Sequence, residues 1–296
     1  MNNQTGGLAK KILHFPLTKI ILASIVVVGI PVAVNKLALK PALVSMNLDE
    51  GIPRLLRVFF TTAVLMTAAY WWFFRTLEKR KVSELDFRFL LKDSLIGFFS
   101  GIMVMGFVIT LLWINGFFIV WELKPFWPVL GTLIFIFSLA LTEEIFFRGI
   151  IYRIMEENLG TNIALAISAL LFGLSHLTNE NMSVISLLGI IIGGCLMGLL
   201  YTATRRLWLP IFAHAGWNYI QTLTGVTLSG SNDLPEASLL DSSLEGPELI
   251  TGGGFGPENS ILTIVLTAII LIALYRYVQN KGKVLRPKWK QTAKLP

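Results

Sequence analysis

The chain has 296 residues and a mass of 33.0 kDa; 54% of the residues are hydrophobic and only 15% are charged. Soluble globular domains carry roughly 25% charged residues. The composition therefore excludes a soluble domain, and it equally excludes a disordered, collagenous or coiled-coil chain. Because Cys195 is the single cysteine, a disulfide scaffold is excluded too. The composition predicts an all-α, polytopic membrane protein.

The net charge of +7 would suggest nucleic-acid binding in a soluble protein. Here, however, the basic residues lie between and beyond the apolar segments, where Lys and Arg orient membrane spans and contact anionic lipid head groups. We therefore expect the lipid bilayer as a partner, and we expect no nucleic acid.

About twenty apolar residues cross the core of a bilayer, and about eight segments of the sequence approach that length. The first lacks a cleavage site, so it is predicted to be a retained helix and not a signal peptide. In the fourth segment the apolar run leads directly into a charged cluster, which is therefore expected inside a long helix. The predicted spans are residues 19–38, 54–74, 94–120, 128–152, 162–178, 183–203, 207–223 and 260–278.

The distribution of Lys and Arg predicts the orientation of the chain. An even number of spans puts both termini on one side of the membrane. If that side is the cytoplasm, the basic residues that remain outside are Lys36, Lys40, Arg54, Arg57 and Lys124. This bias is typical of cytoplasmic termini and suits either a bacterial plasma membrane or an endoplasmic reticulum membrane. Of the two, we expect an integral multi-pass protein of a bacterial plasma membrane.

The first cluster of ionisable residues lies in the fourth predicted span. Each such residue costs about 2.5–3.5 kcal/mol on insertion and by default suggests function. Glu144 and Arg148 are four residues apart, so they share a helix face and can pair. Glu143 is rotated from Glu144 by about 100° and therefore faces elsewhere. A buried carboxylate that lies beside another carboxylate is suited to proton transfer. The alternative is a cluster that caps the span and extends into the head groups.

Two further pairs follow, and in each pair the residues are four apart, so they share a helix face. Phe172 and His176 can place an aromatic ring beneath an imidazole, although a histidine satisfied by the neighbouring polar loop is the alternative. His214 and Asn218 bring an imidazole and an amide side by side, although hydrogen bonding between helices would explain them equally well. Together with the glutamates they offer a base for water and donors for an oxyanion. They also offer one Glu and two His as ligands for zinc.

The ordered motifs Glu143-Glu144-xxx-Arg148, Phe172-xxx-His176 and His214-xxx-Asn218 resemble those of the CPBP intramembrane proteases, also called Abi. That family includes the Rce-type CAAX prenyl endopeptidase of eukaryotes and bacteriocin-processing relatives in bacteria. The resemblance covers about residues 128–222, and no comparable signature occurs in the first 120 residues or in the tail.

The resemblance implies a membrane-embedded endopeptidase of eight helices with a polar active-site cavity inside the bundle. It assigns Glu143 as the base that activates water, with assistance from His176. It assigns His214 and Asn218 to the oxyanion hole. The substrate it implies is a membrane-associated peptide or protein, which in a bacterium would be a peptide precursor.

The same resemblance implies that Glu144 and Arg148 complete the polar core and fix the helix that carries them. The family has been described both as metalloproteases and as metal-free glutamate proteases. Because the sequence has no HExxH motif, we expect glutamate-activated water without a required cofactor. Zinc held by Glu143, His176 and His214 is the alternative.

Two other functions are alternatives to a protease. A catalytically silent scaffold, regulator or bacteriocin-immunity protein of the same family would predict the loss of a motif residue, and none is lost. A transporter would predict internal repeats and broken helices in both halves, which the sequence does not show. The sequence leaves the oligomeric state open.

The chain is thus predicted to have four parts: helices one to three (1–120), a catalytic core of helices four to seven (121–223), an acidic loop (224–259), and a last helix with a basic cytoplasmic tail (260–296). The loop is expected to be a solvated, mobile connector. One difficulty concerns depth, because Glu143 is predicted at mid-membrane or further inward and His176 near the outer end of its span. They can meet only if the helices are tilted or staggered, or if spans five and six form a shallower hairpin.

Overall fold

The fold was examined in a computed structural model, which describes residues 15–125, 127–231 and 238–291. Within these ranges a long helix occurs at each of the eight predicted segments, and the architecture is all-α apart from one two-stranded sheet. In chain order the helices are α1 (Pro16–Ser45), α2 (Gly51–Thr76), α3 (Leu90–Ile114), α4 (127–159), α5 (Thr161–Leu174), α6 (Val184–Thr204), α7 (Trp208–Thr224) and α8 (Ile261–Asn280).

Five of the described helices are long and apolar enough to cross a membrane: α1, α2, α3 with the turns that precede it, α6 and α8. Helix α5 is apolar but has only 14 residues. Helix α4 carries Glu143, Glu144 and Arg148, helix α7 carries His214 and Asn218, and His176 follows the end of α5. These observations agree with an integral membrane protein, while the full set of eight spans stays a prediction.

The predicted end of the third span at residue 120 is wrong. Helix α3 ends at Ile114, and Gly116 turns the chain with a φ of 75° that favours glycine. The next residues form strand β1 (Phe118–Leu123), which pairs antiparallel with strand β2 (Leu240–Leu244). The apolar run misled the prediction because Phe118 is buried against α3 residues and does not extend the span.

The expectation of a mobile loop at 224–259 is also wrong for the part that the structure describes. Strand β2 lies in this segment, and Phe255 and Asn259 are buried. Hydrogen bonds close its turns: Asn259 Nδ2 donates to the Gly252 carbonyl at 3.2 Å, and the Gly230 amide donates to the Phe255 carbonyl at 2.9 Å. Residues 232–237 lie outside the described ranges. The segment is therefore a folded cover on one end of the bundle, which we call the loop face.

The opposite end of the bundle, where α1 begins and α8 ends, is called the tail face. Lys19 near the start of α1 contacts Glu78 after α2 at 3.2 Å. Beyond α8, the Leu285 amide donates to Thr161 Oγ1 at 2.8 Å. Both described ends of the chain therefore lie on the same face, as an even number of passes requires.

Helix α7 is held by unusually close packing against α3. An added Cβ at Gly101 would lie 2.1 Å from the Ala213 carbonyl oxygen, and one at Gly216 would lie 2.0 Å from the Phe98 carbonyl oxygen. The two backbones can approach this closely only because both positions lack a side chain. Since α7 carries His214, this contact sets the position of a motif residue.

We expect Gly101→Ala to destabilise the protein by about 3 kcal/mol, because the new methyl group meets backbone atoms that cannot rotate away. Gly193→Ala is the matched control, since no atom lies within 4 Å of its added Cβ. Thermal unfolding of both variants in detergent measures the difference. Equal unfolding temperatures for the two variants would contradict the packing described.

The tail face holds Glu78 among three cations. Its carboxylate lies 2.8 Å from Arg80, 3.2 Å from Lys19 and 3.3 Å from Arg153. Burial raises the pKa of Glu78, but the charges of Arg153, Arg80 and Lys19 more than offset burial, so the pKa lies below its ordinary value. The ionised carboxylate thus ties α1, the turn after α2 and α4 together.

Because the pKa of Glu78 is lower in the folded than in the unfolded state, its stabilising effect is present above the unfolded value and is lost as the pH falls through the folded value. We expect Glu78→Gln to lower the unfolding temperature at pH 7, and we expect the deficit to shrink below about pH 4. Melting curves across this pH range test the effect, with the exposed Glu122→Gln as the control. A deficit independent of pH would argue against the ionic origin.

Candidate active site

Helix α4 changes its geometry directly after the two glutamates. Its first segment, Trp127–Glu144, is α-helical, and the next, Ile145–Tyr152, is π-helical. Such widened turns are frequent at functional sites. Glu144 and Arg148 are both fully buried, and Arg148 Nη1 donates to Glu144 Oε1 at 2.8 Å. The predicted ion pair is therefore formed, and these two residues do not extend into the head groups.

Arg148 links three helices through its guanidinium. Nη2 donates to the Gly194 carbonyl of α6 at 3.0 Å, and the group stacks over the Phe172 ring of α5 at 4.6 Å. An added Cβ at Gly194 would lie 3.3 Å from the Phe172 ring, so glycine allows α6 to come this close. The buried charge of Glu144 is therefore balanced by Arg148, whose guanidinium also contacts α5 and α6.

His214 of α7 lies between the two carboxylates. Its Nδ1 donates to Glu144 Oε1 at 2.9 Å, and its Nε2 lies 3.8 Å from Glu143 Oε2. The first distance is a hydrogen bond, which fixes a proton on Nδ1 and orients the ring. The second is too long for a direct hydrogen bond. Glu143 therefore faces the same imidazole as Glu144, which the sequence interpretation did not expect.

His176 follows the end of α5. Its Nδ1 donates to the Phe172 carbonyl at 2.8 Å, and its ring packs on the Phe172 ring with centroids 4.7 Å apart. The expected pairing of these two residues is confirmed. Because Nδ1 is the donor, Nε2 is left with a lone pair that can accept a proton or a hydrogen bond.

Four of the six predicted site residues line one cavity of about 320 Å³, which we call the Glu143 cavity: Glu143, His176, His214 and Asn218. Asn218 is buried, and its side chain can offer amide N–H groups to a ligand in this cavity. Glu144 and Arg148 lie buried behind this wall. The arrangement supplies a carboxylate, two imidazoles and an amide to one space.

Glu143 and His176 were predicted at different depths in the membrane, but they can meet because α5 is short. Glu143 precedes the turn at Gly160, and His176 follows it by nearly the same number of residues. At about 1.5 Å per residue, both residues stand about equally far above that turn. Helix α5 therefore ends well inside the bundle.

The zinc alternative was tested on the geometry of these side chains. Within residues 15–125, 127–231 and 238–291, no three His, Cys, Asp or Glu side chains are grouped so that they could hold one metal ion. Glu143, His176 and His214 line a common cavity without forming such a set. Of the three histidines, His14 lies outside the described residues.

The sequence interpretation missed a cluster of four polar side chains beside the site. Glu258 of the loop-face cover accepts hydrogen bonds from Trp217 Nε1 at 2.9 Å, Gln221 Nε2 at 2.7 Å and Ser229 Oγ at 2.6 Å. Trp217 lies inside the third motif, but Ser229 and Glu258 lie in the acidic loop. Nothing local distinguishes Glu258 from the other acids of the loop except its place shortly before the last apolar helix.

Comparisons with known proteins match the segment of the chain that carries these residues. Residues 125–220 match the family described as type II CAAX prenyl endopeptidase Rce1-like. A Bacillus subtilis (strain 168) protein named "Putative membrane peptidase YdiL" is 29% identical over 113 residues. The aligned region is 38% of this chain and 41% of that protein, well under half of each. No solved structure matches the chain. The matched segment contains all six predicted site residues, and over this segment the chain is similar to the Rce1-like, CPBP-type membrane proteases.

Proposed function

We propose that the protein is an intramembrane endopeptidase that hydrolyses a peptide bond of a membrane-associated protein or peptide. The observation that carries this proposal is the Glu143 cavity, where Glu143, His176, His214 and Asn218 face one space. Behind this space, the buried Glu144–Arg148 pair fixes His214 through a 2.9 Å hydrogen bond. These are the groups that acyl transfer to water requires, a base and preorganised donors.

In the first step, Glu143 takes a proton from a water molecule as the water oxygen bonds to the carbonyl carbon of the scissile peptide. The lone pair on His176 Nε2 accepts the second hydrogen of that water and orients it. Electrons of the carbonyl double bond move to its oxygen. The oxyanion then accepts hydrogen bonds from the Asn218 amide and from protonated His214 Nε2.

In the second step, the oxyanion reforms the carbonyl and the bond to the peptide nitrogen breaks. Glu143 returns its proton to this nitrogen, which leaves as an amine, and the other product is a carboxylic acid. During both steps Glu144 balances the charge of the His214 imidazolium. Arg148 does not contact the substrate and acts as a positioning residue for Glu144.

The bias of Lys and Arg supports a tail face in the cytoplasm and a loop face on the outer side. With that orientation both termini are cytoplasmic, in a bacterial plasma membrane. A peptide precursor is the substrate class that we propose, because the cavity offers polar groups to a peptide backbone.

The purified protein, incubated with a library of quenched fluorescent peptides, tests this function. We expect cleavage that persists with a chelator and no stoichiometric metal in the purified protein. Loss of cleavage with chelator, together with one bound zinc, would reassign Glu143, His176 and His214 as ligands. A folded protein that cleaves no peptide or reconstituted membrane protein would overturn the proposal in favour of a silent scaffold.

A further inference from the structure

Glu258 is a carboxylate beside the site, and it takes no part in the proposed reaction. It lies in the turn Pro257–Asn259, between two buried residues, just before α8. Its carboxylate lines a second cavity, here called the Glu258 cavity, which shares His176, His214 and Asn218 with the Glu143 cavity. A group bound at Glu258 would therefore lie beside the reacting carbonyl.

The charge of Glu258 is not balanced by a cation of the protein. Its hydrogen bonds come from the neutral donors Trp217, Gln221 and Ser229. Among the described residues, no Lys, Arg or His forms an ion pair with it, whereas Glu144 is paired with Arg148. These hydrogen bonds stabilise the half-buried carboxylate, and a cation bound beside it would add a charge interaction that the protein itself does not supply. With Glu143 nearby, the joined cavities have an excess of negative charge.

The shape of the Glu258 cavity limits what can enter it. The cavity is small, with a volume of about 60 Å³, and its walls are largely apolar, with Ile190, Met197 and Ile264 among them. Gly193 of α6 leaves open space, because an added Cβ there has no neighbour within 4 Å. A small cavity with apolar walls and a carboxylate among its lining residues suits a side chain that has an aliphatic stem and a terminal cation.

The surroundings of the cavity favour the approach of such a group. The segment 224–259 contains no Lys or Arg and six acidic residues. Asp241 pairs with Lys124 at 3.3 Å, but an acidic segment as a whole raises the local concentration of cationic ligands. A basic peptide would therefore be attracted to the loop face before it reached the Glu258 cavity.

We propose that the Glu258 cavity is a substrate subsite that binds a basic side chain such as lysine, by its aliphatic stem and its charge, next to the scissile peptide bond. This inference rests on the proposed function and adds the class of residue that the site selects. Glu258 is the specificity-determining residue, and its hydrogen bonds to Trp217 and Ser229 hold it in place.

The test compares peptides that are identical except for lysine or norleucine at each position flanking the cleaved bond. Norleucine has the same unbranched stem without the charge. For wild type we expect kcat/KM to be at least about tenfold higher with lysine at one position. For Glu258→Gln, whose amide can keep the hydrogen bonds to its neighbours, we expect this ratio to fall towards one. Glu245→Gln removes the same charge from the cover at a site that does not line the cavity, and its ratio should stay high.

A second measurement separates this proposal from the proposed function. In the Glu143→Gln background, which we expect to bind without turnover, the lysine peptide should raise the unfolding temperature more than the norleucine peptide. The added Glu258→Gln change should remove that difference. Equal losses with both peptides in Glu258→Gln would show an anchoring role only and overturn the subsite. A fall of the ratio in Glu245→Gln as large as in Glu258→Gln would overturn it as well. If neither peptide is ever cleaved, the protease function fails, and the binding measurement still decides the subsite.

Discussion

Glu143→Gln is expected to lower kcat/KM for peptide cleavage by about 10²- to 10⁴-fold, the range that loss of a general base produces. The variant keeps the shape of the side chain but cannot take the proton of water. In the wild-type protein the Glu143 carboxylate faces the cavity and lies 3.8 Å from His214 Nε2, too far for a direct hydrogen bond. The substitution should therefore affect folding little. Initial rates and unfolding temperatures measured on the same preparation separate the two effects.

Glu157→Gln is the matched control for this prediction. It makes the same substitution on the same helix, but Glu157 is half-exposed and pairs with Arg153 at the tail face. We expect its cleavage rate to stay within about twofold of wild type, because exposed ion pairs contribute little. Equal rates for wild type and Glu143→Gln would remove Glu143 from the reaction.

Arg148→Met is expected to have the largest effect on folding, about 3–5 kcal/mol of destabilisation. The substitution leaves Glu144 buried without its cation, and it removes the hydrogen bond to the Gly194 carbonyl and the stacking on Phe172. Thermal unfolding and the yield of monodisperse protein in detergent measure the loss.

The double variant Glu144→Gln with Arg148→Met distinguishes an uncompensated charge from lost packing. If the unpaired carboxylate causes the defect, neutralising it should recover most of the stability. Cleavage should stay low in the double variant, because the anion that balances His214 is gone. A single Arg148→Met variant as stable as wild type would contradict the account of this ion pair.

The part of the site that sequence predicts is the part set by helix periodicity. Glu144 with Arg148 and Phe172 with His176 are each four residues apart, and both pairs meet as expected. Such contacts depend only on local geometry. The position of Glu143 was not predicted in the same way, because the ring that it faces comes from α7 and the helix changes to π geometry beyond Glu144.

The features that sequence did not predict all depend on distant parts of the chain. The apolar run after Ile114 was assigned to a span because hydropathy does not reveal that Phe118–Leu123 pairs with Leu240–Leu244. The cover at the loop face is rich in Gly, Ser and Pro, a composition that is typical of mobile connectors. Its order comes from buried residues such as Phe255.

Direct attack by water is the central claim about this site, and Ser175 and Ser229, which also line the Glu143 cavity, offer a covalent route as its rival. The most direct measurement is cleavage in water enriched in ¹⁸O with hydroxylamine present, followed by mass spectrometry of the products. Attack by water predicts one ¹⁸O atom in each new carboxyl terminus and no hydroxamate. Formation of a peptide hydroxamate, which requires an acyl-enzyme, would contradict the account.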